Sequence, residues 1–316
     1  MIETKKRMSA GKITGFVFLG LFVLFIFCAG SFFTGLALGQ FTKGLAGGGM
    51  VSSMDSIYLI RLEGTISGTS SAGLLGGASI TPEQIIGQLQ EAERNPSVKA
   101  ILLRVNSGGG SAAASQEIFE EMKKVKKPVV VSVGDVCASG AYYIACAADK
   151  IVANRSSSIG SIGVILQVAN LEELYNKLGI KYTTIKQGKY KDAGSSDRPL
   201  TAEEEKLLQD QTYKVYEQFI NDVAASRKLE VEKVKEIATG WVYLGTEALD
   251  LGLIDSIGTY IDAQKIAAEL GGIKGEPNII GQQQFNIFDM LLNYSLSRTV
   301  KNILGNLNAG GYPVFE

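Results

Sequence analysis

The chain has 316 residues, a net charge of −1, no histidine and three cysteines. A near-zero charge without long blocks of one sign argues against nucleic acid as a partner. The absence of histidine removes the Ser-His-Asp triad, the Cys-His dyad and the common zinc sites together. Cys28, Cys137 and Cys146 have no repeated spacing and make no disulfide framework, so they read as small buried hydrophobes.

No charged residue occurs from 13 to 41. A membrane helix needs roughly 20 apolar residues, so 13–41 is expected to be one transmembrane anchor. Lys5, Lys6, Arg7 and Lys12 precede it. Basic flanks stay inside, which makes 1–12 a cytoplasmic terminus and the rest extracytoplasmic, in a single-pass protein of the cell membrane. A cleaved signal peptide has an apolar region of about 7–15 residues and a small-x-small site; this run is longer, and no clear site follows. Residues 42–54, with "GLAGGG", read as a flexible linker.

A first domain is expected over 55–270. "SIYLIRLEG" is a strand, and "GTSSAGLLGGAS" a loop. Thr81, Pro82 and Gln84 form a capping box with proline at the first helical position. The helix they open carries Ile85, Ile86, Leu89 and Ala92 on one face. "KAILLRV" is a buried strand. After a glycine-rich turn comes a helix with Ile118, Phe119, Met122 and Val125 on one face. "PVVVSV" and "KIVAN" are further strands; "SIGVILQVA" and "KYTTIKQ" are expected to hold strands too. Asn170 to Glu173 cap a short helix. Thr201 and Glu204 cap a long one with Leu208, Val215, Phe219 and Val223 along a stripe. Such alternation implies an α/β fold with mostly parallel strands. Residues 271–316 are expected to be a C-terminal tail with an amphipathic helix, "FDMLLNYSLSRTVKNIL".

Two strand ends feed the chemically interesting loops, where sites form in parallel sheets. "RVNSGGGSAAAS" places Gly108, Gly109 and Gly110 in one turn, suited to aiming N–H groups at an oxyanion. A Walker phosphate loop is unlike it, because the Gly-Lys-Ser/Thr ending is absent. "VGDVCASGAYY" places Ser139 between a strand and a helix, among small residues, as an exposed nucleophile requires. Gly140 N–H then becomes a second oxyanion donor, as in other strand-turn-helix nucleophiles. Without histidine the base is a lysine, a tyrosine or a carboxylate such as Asp135 or Asp149. A lysine serves when neutral. Lowering its reference value of about 10.4 to roughly 7–8 takes about 4 kcal/mol of bias, which an apolar pocket supplies. Composition does not choose among 31 Lys and Arg; Lys189 and Lys191, in the strand-end loop "QGKYKDAGSSDRPL", are the best candidates.

Five motifs in order, "RVNSGGGSAAASQEI", "VCASGAYYIACAADKIVAN", "GSIGV", "GKYKDAGSSDRPLTAEE" and "WVYLGTEALDLGLIDSIG", resemble the signal peptide peptidase A family of membrane-anchored serine–lysine peptidases, in its short form. The resemblance covers roughly 56–268. It implies the Clp-protease/crotonase-like fold of ββα units. It implies Ser139 as nucleophile, Lys191 as general base, and backbone at Gly109, Gly110 and Gly140 as oxyanion hole, with no metal and no cofactor. It implies a homo-oligomeric ring in which the serine of one subunit meets the lysine of the next, acting on remnant signal peptides and other hydrophobic peptides. Gly108 stands where the family has proline, Ile159 where it has threonine, and Ser196 or its neighbour where a proline often follows the lysine. Two other readings are weighed: a crotonase-type acyl-CoA enzyme, which needs a well-placed Glu or Asp, and a non-enzymatic membrane ring scaffold.

Overall fold

The computed structural model describes residues 55–69 and 79–281. The expected anchor 13–41, the linker 42–54, most of the loop before Ser79 and the amphipathic stretch of the tail lie outside the described residues. Among the described residues, no helix is long and apolar enough to cross a membrane.

The framework is a mixed α/β sheet dominated by parallel pairs. Strands β1 (Ser56–Glu63), β4 (Val98–Ser107), β5 (Val129–Ala138), β6 (Lys150–Ala153), β9 (Ser256–Ile257) and β10 (Asn278–Ile280) lie in the order β10-β1-β4-β5-β6-β9. Every pair along that path is parallel. This arrangement fits the expected Clp-protease-like class. A short strand β7 (Ser158–Gly160) runs parallel to the last residues of β5, and β8 (Val242–Leu244) pairs antiparallel with β7. Two short strands, β2 (Thr65–Ile66) and β3 (Ser79–Ile80), pair apart from the main sheet.

Both faces of the central sheet are covered, as parallel strands require. In β1, Tyr58, Ile60 and Leu62 face one cluster while Ile57 and Leu59 face the other, the period of two expected of a strand. Helices α1 (Pro82–Arg94) and α2 (Ala112–Lys123) cover the first face through Ile85, Leu89, Ile118, Phe119 and Met122. The other face is covered by α8 (Tyr260–Leu270), whose Ala263 and Ala267 allow close approach to Ala100 and Val130. Between these lie α3 (Gly140–Ala145), α4 (Glu172–Lys177), α5 (Ala202–Arg227), α6 (Val231–Ile237) and α7 (Gly245–Asp250). The capping boxes expected at Thr81 and Thr201 are both formed.

Two expectations need correction. "SIGVILQVA" and "KYTTIKQ", residues 161–169 and 181–187, form no strand; the ladder stops at Gly160. Their β-branched residues favour extended backbone, but a strand also needs a partner ladder, and none is present for them among the described residues. Their side chains are correspondingly open, with Ile165 85% and Ile185 93% exposed. The amino-terminal half of the α5 stripe is similar. Phe219 and Val223 are buried, while Val215 is exposed.

Candidate active site

Strand β5 ends where the chain must turn into α3, and Ser139 makes that turn with φ 52° and ψ −125°. A serine with positive φ is sterically unfavourable and is held only by its surroundings. Its N–H donates to Gly160 O at 2.7 Å, and its carbonyl accepts from Tyr143 N at 2.9 Å. The side chain caps nothing and is half-buried. Every residue of α3 is buried. Gly140 permits this: a Cβ there would lie 2.2 Å from Ser115 Oγ. Ser115 is fully buried and donates its hydroxyl to Ser111 O at 2.8 Å.

The glycine turn lies against Ser139. Gly109 and Gly110 have φ of 97° and 155°, and a Cβ on Gly110 would come within 2.0 Å of Ile66 O. Ile66 holds this turn through two backbone bonds, Ile66 N to Gly109 O at 3.0 Å and Ser111 N to Ile66 O at 2.9 Å. The three amides then differ. Gly109 N–H donates to Ser107 Oγ at 3.1 Å. The N–H groups of Gly110 and Gly140 have no acceptor among the described residues. They are also neighbours, since an ideal Cβ on Gly140 would lie 3.5 Å from Gly110 N. Gly108 has open space around it.

Ser139, Gly110 and Gly140 line a cavity of about 1110 Å³. Beyond the serine its wall is aromatic. Tyr143 stacks on Phe119 with centroids 4.6 Å apart and meets Phe219 edge-on at 4.9 Å. Its hydroxyl donates to the Asp222 carboxylate and accepts from Gln218 Nε2 at 3.3 Å. Burial, then the Asp222 hydrogen bond, hold the Tyr143 phenol well above its usual range. None of the described residues lining the cavity is a lysine, arginine, aspartate or glutamate.

Lys191 therefore does not line the cavity that holds Ser139. It is exposed, in a loop laced by ion pairs. Lys186 pairs with Asp192 at 2.5 Å and Lys189 with Glu203 at 2.5 Å, while Tyr190 also donates to Glu203. Arg198 bonds both Asp192 and Glu204. Among the described residues Lys191 is in none of these pairs. Sequence reasoning passed over Ser161, which lines the cavity with φ 47° and donates to Gly240 O at 3.2 Å. It also passed over Ser107, Tyr143 and Arg198. Only the polar side chain within "NSGGG" was a signal for one of them.

The model of Peptidase family S49 matches residues 121–274, which include both Ser139 and Lys191. A putative protease of Synechocystis sp. is 44% identical over 198 residues, 62% of this chain and 71% of that protein. The chain belongs to peptidase family S49. A chloroplastic serine protease SPPA of Arabidopsis thaliana is 38% identical over 74% of the S49 chain, but the match covers only 34% of that protein. A putative signal peptide peptidase SppA of Enterococcus faecium is 36% identical over 67% of this chain and 62% of its own length. A CoA-ligase model also matches, over residues 45–150. Family membership and relatives named as proteases give the S49 chain its coarse activity, that of a serine peptidase.

Proposed function

We propose that the chain is a membrane-anchored serine endopeptidase whose active site is completed by Lys191 from a second copy, in a ring of identical subunits. One observation carries this reading. Among the described residues, the cavity of a single chain holds Ser139 and two free N–H donors but no charged side chain, while Lys191 stands exposed and in no ion pair with them, beside segments rich in exposed apolar residues.

In this mechanism Ser139 Oγ attacks the scissile carbonyl carbon as its proton passes to the neutral Nζ of Lys191. The oxyanion forms between the N–H groups of Gly110 and Gly140, while Gly109 clears the space they need and keeps its own N–H on Ser107. Collapse breaks the C–N bond, and the lysine returns the proton to the departing amine. Water then enters by the same route: its oxygen attacks the acyl carbon as Lys191 takes its proton, the acyl–Oγ bond breaks, and the lysine returns that proton to Ser139 Oγ as the carboxylic acid product leaves. The aromatic wall suits apolar side chains, so remnant signal peptides and other hydrophobic segments are the substrates. The anchor over 13–41 and linker over 42–54 keep the catalytic domain outside the membrane and near them; that domain reaches past the expected boundary at 270, because Asn278–Ile280 of the tail 271–316 pairs with β1. The acyl-CoA reading needs a carboxylate in the cavity, which no described lining residue supplies.

The test uses Ser139→Ala and Lys191→Ala. Each alone is expected to be inactive on an apolar peptide. Co-expressed, they form rings in which some sites draw an intact serine from one copy and an intact lysine from the other. Recovered activity is the expected result. Inactivity of mixed rings would sink the shared site, and full activity of either single variant would sink the dyad.

A further inference from the structure

We propose that Arg198 is a positioning residue for the base, tying the backbone beside Lys191 to the first turn of α5. The proposal rests on the assignment of Lys191 made above. Arg198 meets two carboxylates at once. Its Nε and Nη2 donate to Asp192 at 3.1 and 2.9 Å; its Nη1 and Nη2 donate to Glu204 at 2.8 and 2.7 Å. The remaining Nη1 hydrogen goes to Pro199 O at 2.9 Å, and Nη2 shares one of its hydrogens with Asp192 O at 3.2 Å. A planar guanidinium with five donors fits two forks; a lysine ammonium does not.

Glu204, the far end of the clamp, is 4% exposed. Its carboxylate also accepts Thr201 N–H at 2.9 Å, and Thr201 Oγ1 accepts Glu204 N–H at 3.2 Å. That end is therefore fixed to a helix of 26 residues. The near end, Asp192, directly follows Lys191. The clamp thus sets where Lys191 stands relative to α5, which lines the cavity through Gln209 and Thr212. It has a second consequence. With Lys186 on Asp192, Lys189 on Glu203, and Arg198 on Asp192 and Glu204, these three carboxylates are all engaged by other cations. Asp197, the remaining acid of the loop, accepts from the Ser195 hydroxyl at 2.5 Å. Loss of Arg198 leaves Asp192, the residue after Lys191, held by Lys186 alone, and takes from Glu204 its Arg198 partner.

The experiment measures kcat and KM of the full-length protein on an activated ester of an apolar peptide, so that slow variants remain readable. Arg198→Lys is compared with wild type, with Lys191→Ala and with the double variant; Asp192→Asn provides a milder second probe. The expected result is a fall in kcat of roughly 10²-fold for Arg198→Lys, as for a displaced catalytic group, with KM within about twofold. In the Lys191→Ala background the same substitution is expected to do nothing further, because its effect passes through the lysine. Asp192→Asn should follow the same pattern with a smaller loss. An unchanged kcat, a rise in KM alone, or equal losses in both backgrounds would overturn the positioning role. Full activity of Lys191→Ala overturns the base assignment instead, and is read from a different arm.

Discussion

Gly109 and Gly140 meet so closely that a Cβ on Gly109 would sit 2.7 Å from the Gly140 nitrogen. Two turns, one after β4 and one after β5, are in contact at backbone level, so any side chain between them pushes apart the N–H groups that face the cavity. Gly109→Ala and Gly110→Ala are therefore expected to lose nearly all kcat/KM. Gly108→Ala, in open space and without a positive φ, should keep activity and gain about 0.4–1 kcal/mol in urea denaturation from a less flexible unfolded chain. An active Gly110→Ala enzyme would remove this turn from the mechanism.

Strain at Ser139 has a measurable sign. A non-glycine residue in such a backbone region costs of order 1–3 kcal/mol. Ser139→Gly is expected to be inactive yet more stable than Ser139→Ala by about 1 kcal/mol or more, compared by denaturant unfolding. Equal stability of the two variants would show that the turn stores no such strain.

The clamp on the lysine loop should be acid-sensitive. Arg198, then Lys186, hold the Asp192 carboxyl well below the usual range. Arg198, then Thr201 N–H, lower Glu204 from 4.5 to about 2. A carboxyl with a depressed folded-state pKa stabilises the fold above its unfolded value, and that contribution is lost as pH falls through the folded value. Stability from Glu204 is thus fully present above about pH 4.5 and is lost towards about pH 2. Melting temperatures across this window should fall more steeply for wild type than for Arg198→Met. Parallel slopes would mean that the ion pairs contribute nothing to stability.

The unpaired segments predict a separation of folding from assembly. Ile165 and Ile185 are exposed, so Ile165→Ser and Ile185→Ser should shift the stability of a single chain by no more than about 0.5 kcal/mol. Sedimentation should nevertheless show smaller species, and peptidase activity should fall with mass. Wild-type mass and activity in both variants would mean these segments do not pack on a neighbour.

Much of the fold was legible because its signals are local. Thr81 and Thr201 cap helices through residues three positions away. Alternation of apolar residues in β1 and the apolar faces of α1 and α2 depend only on the period of the element. Ser139 was legible for the same reason: strand, small residues and helix follow one another directly. The two misassigned strands mark the limit of this logic. Residues 161–169 and 181–187 carry the composition of strands, but composition favours an extended backbone without specifying what lies beside it.

What the sequence by itself determined was an α/β chain with a serine at a strand-to-helix turn, a glycine turn feeding the same sheet end, and no histidine to serve as base. Only the tertiary structure decided how the three glycine amides differ, because Ser107 engages Gly109 and Ile66 pins the turn from a strand some forty residues earlier in the chain. It also separated Lys191 from its neighbours: Lys186 and Lys189 are matched to carboxylates, one of them beyond the loop on α5, and among the described residues Lys191 is not. The physical reason is the same in each case. Hydrogen bonds and ion pairs between distant segments depend on separations held to within a few tenths of an ångström, which only packing sets, whereas caps and periodic faces are settled within a few residues of chain.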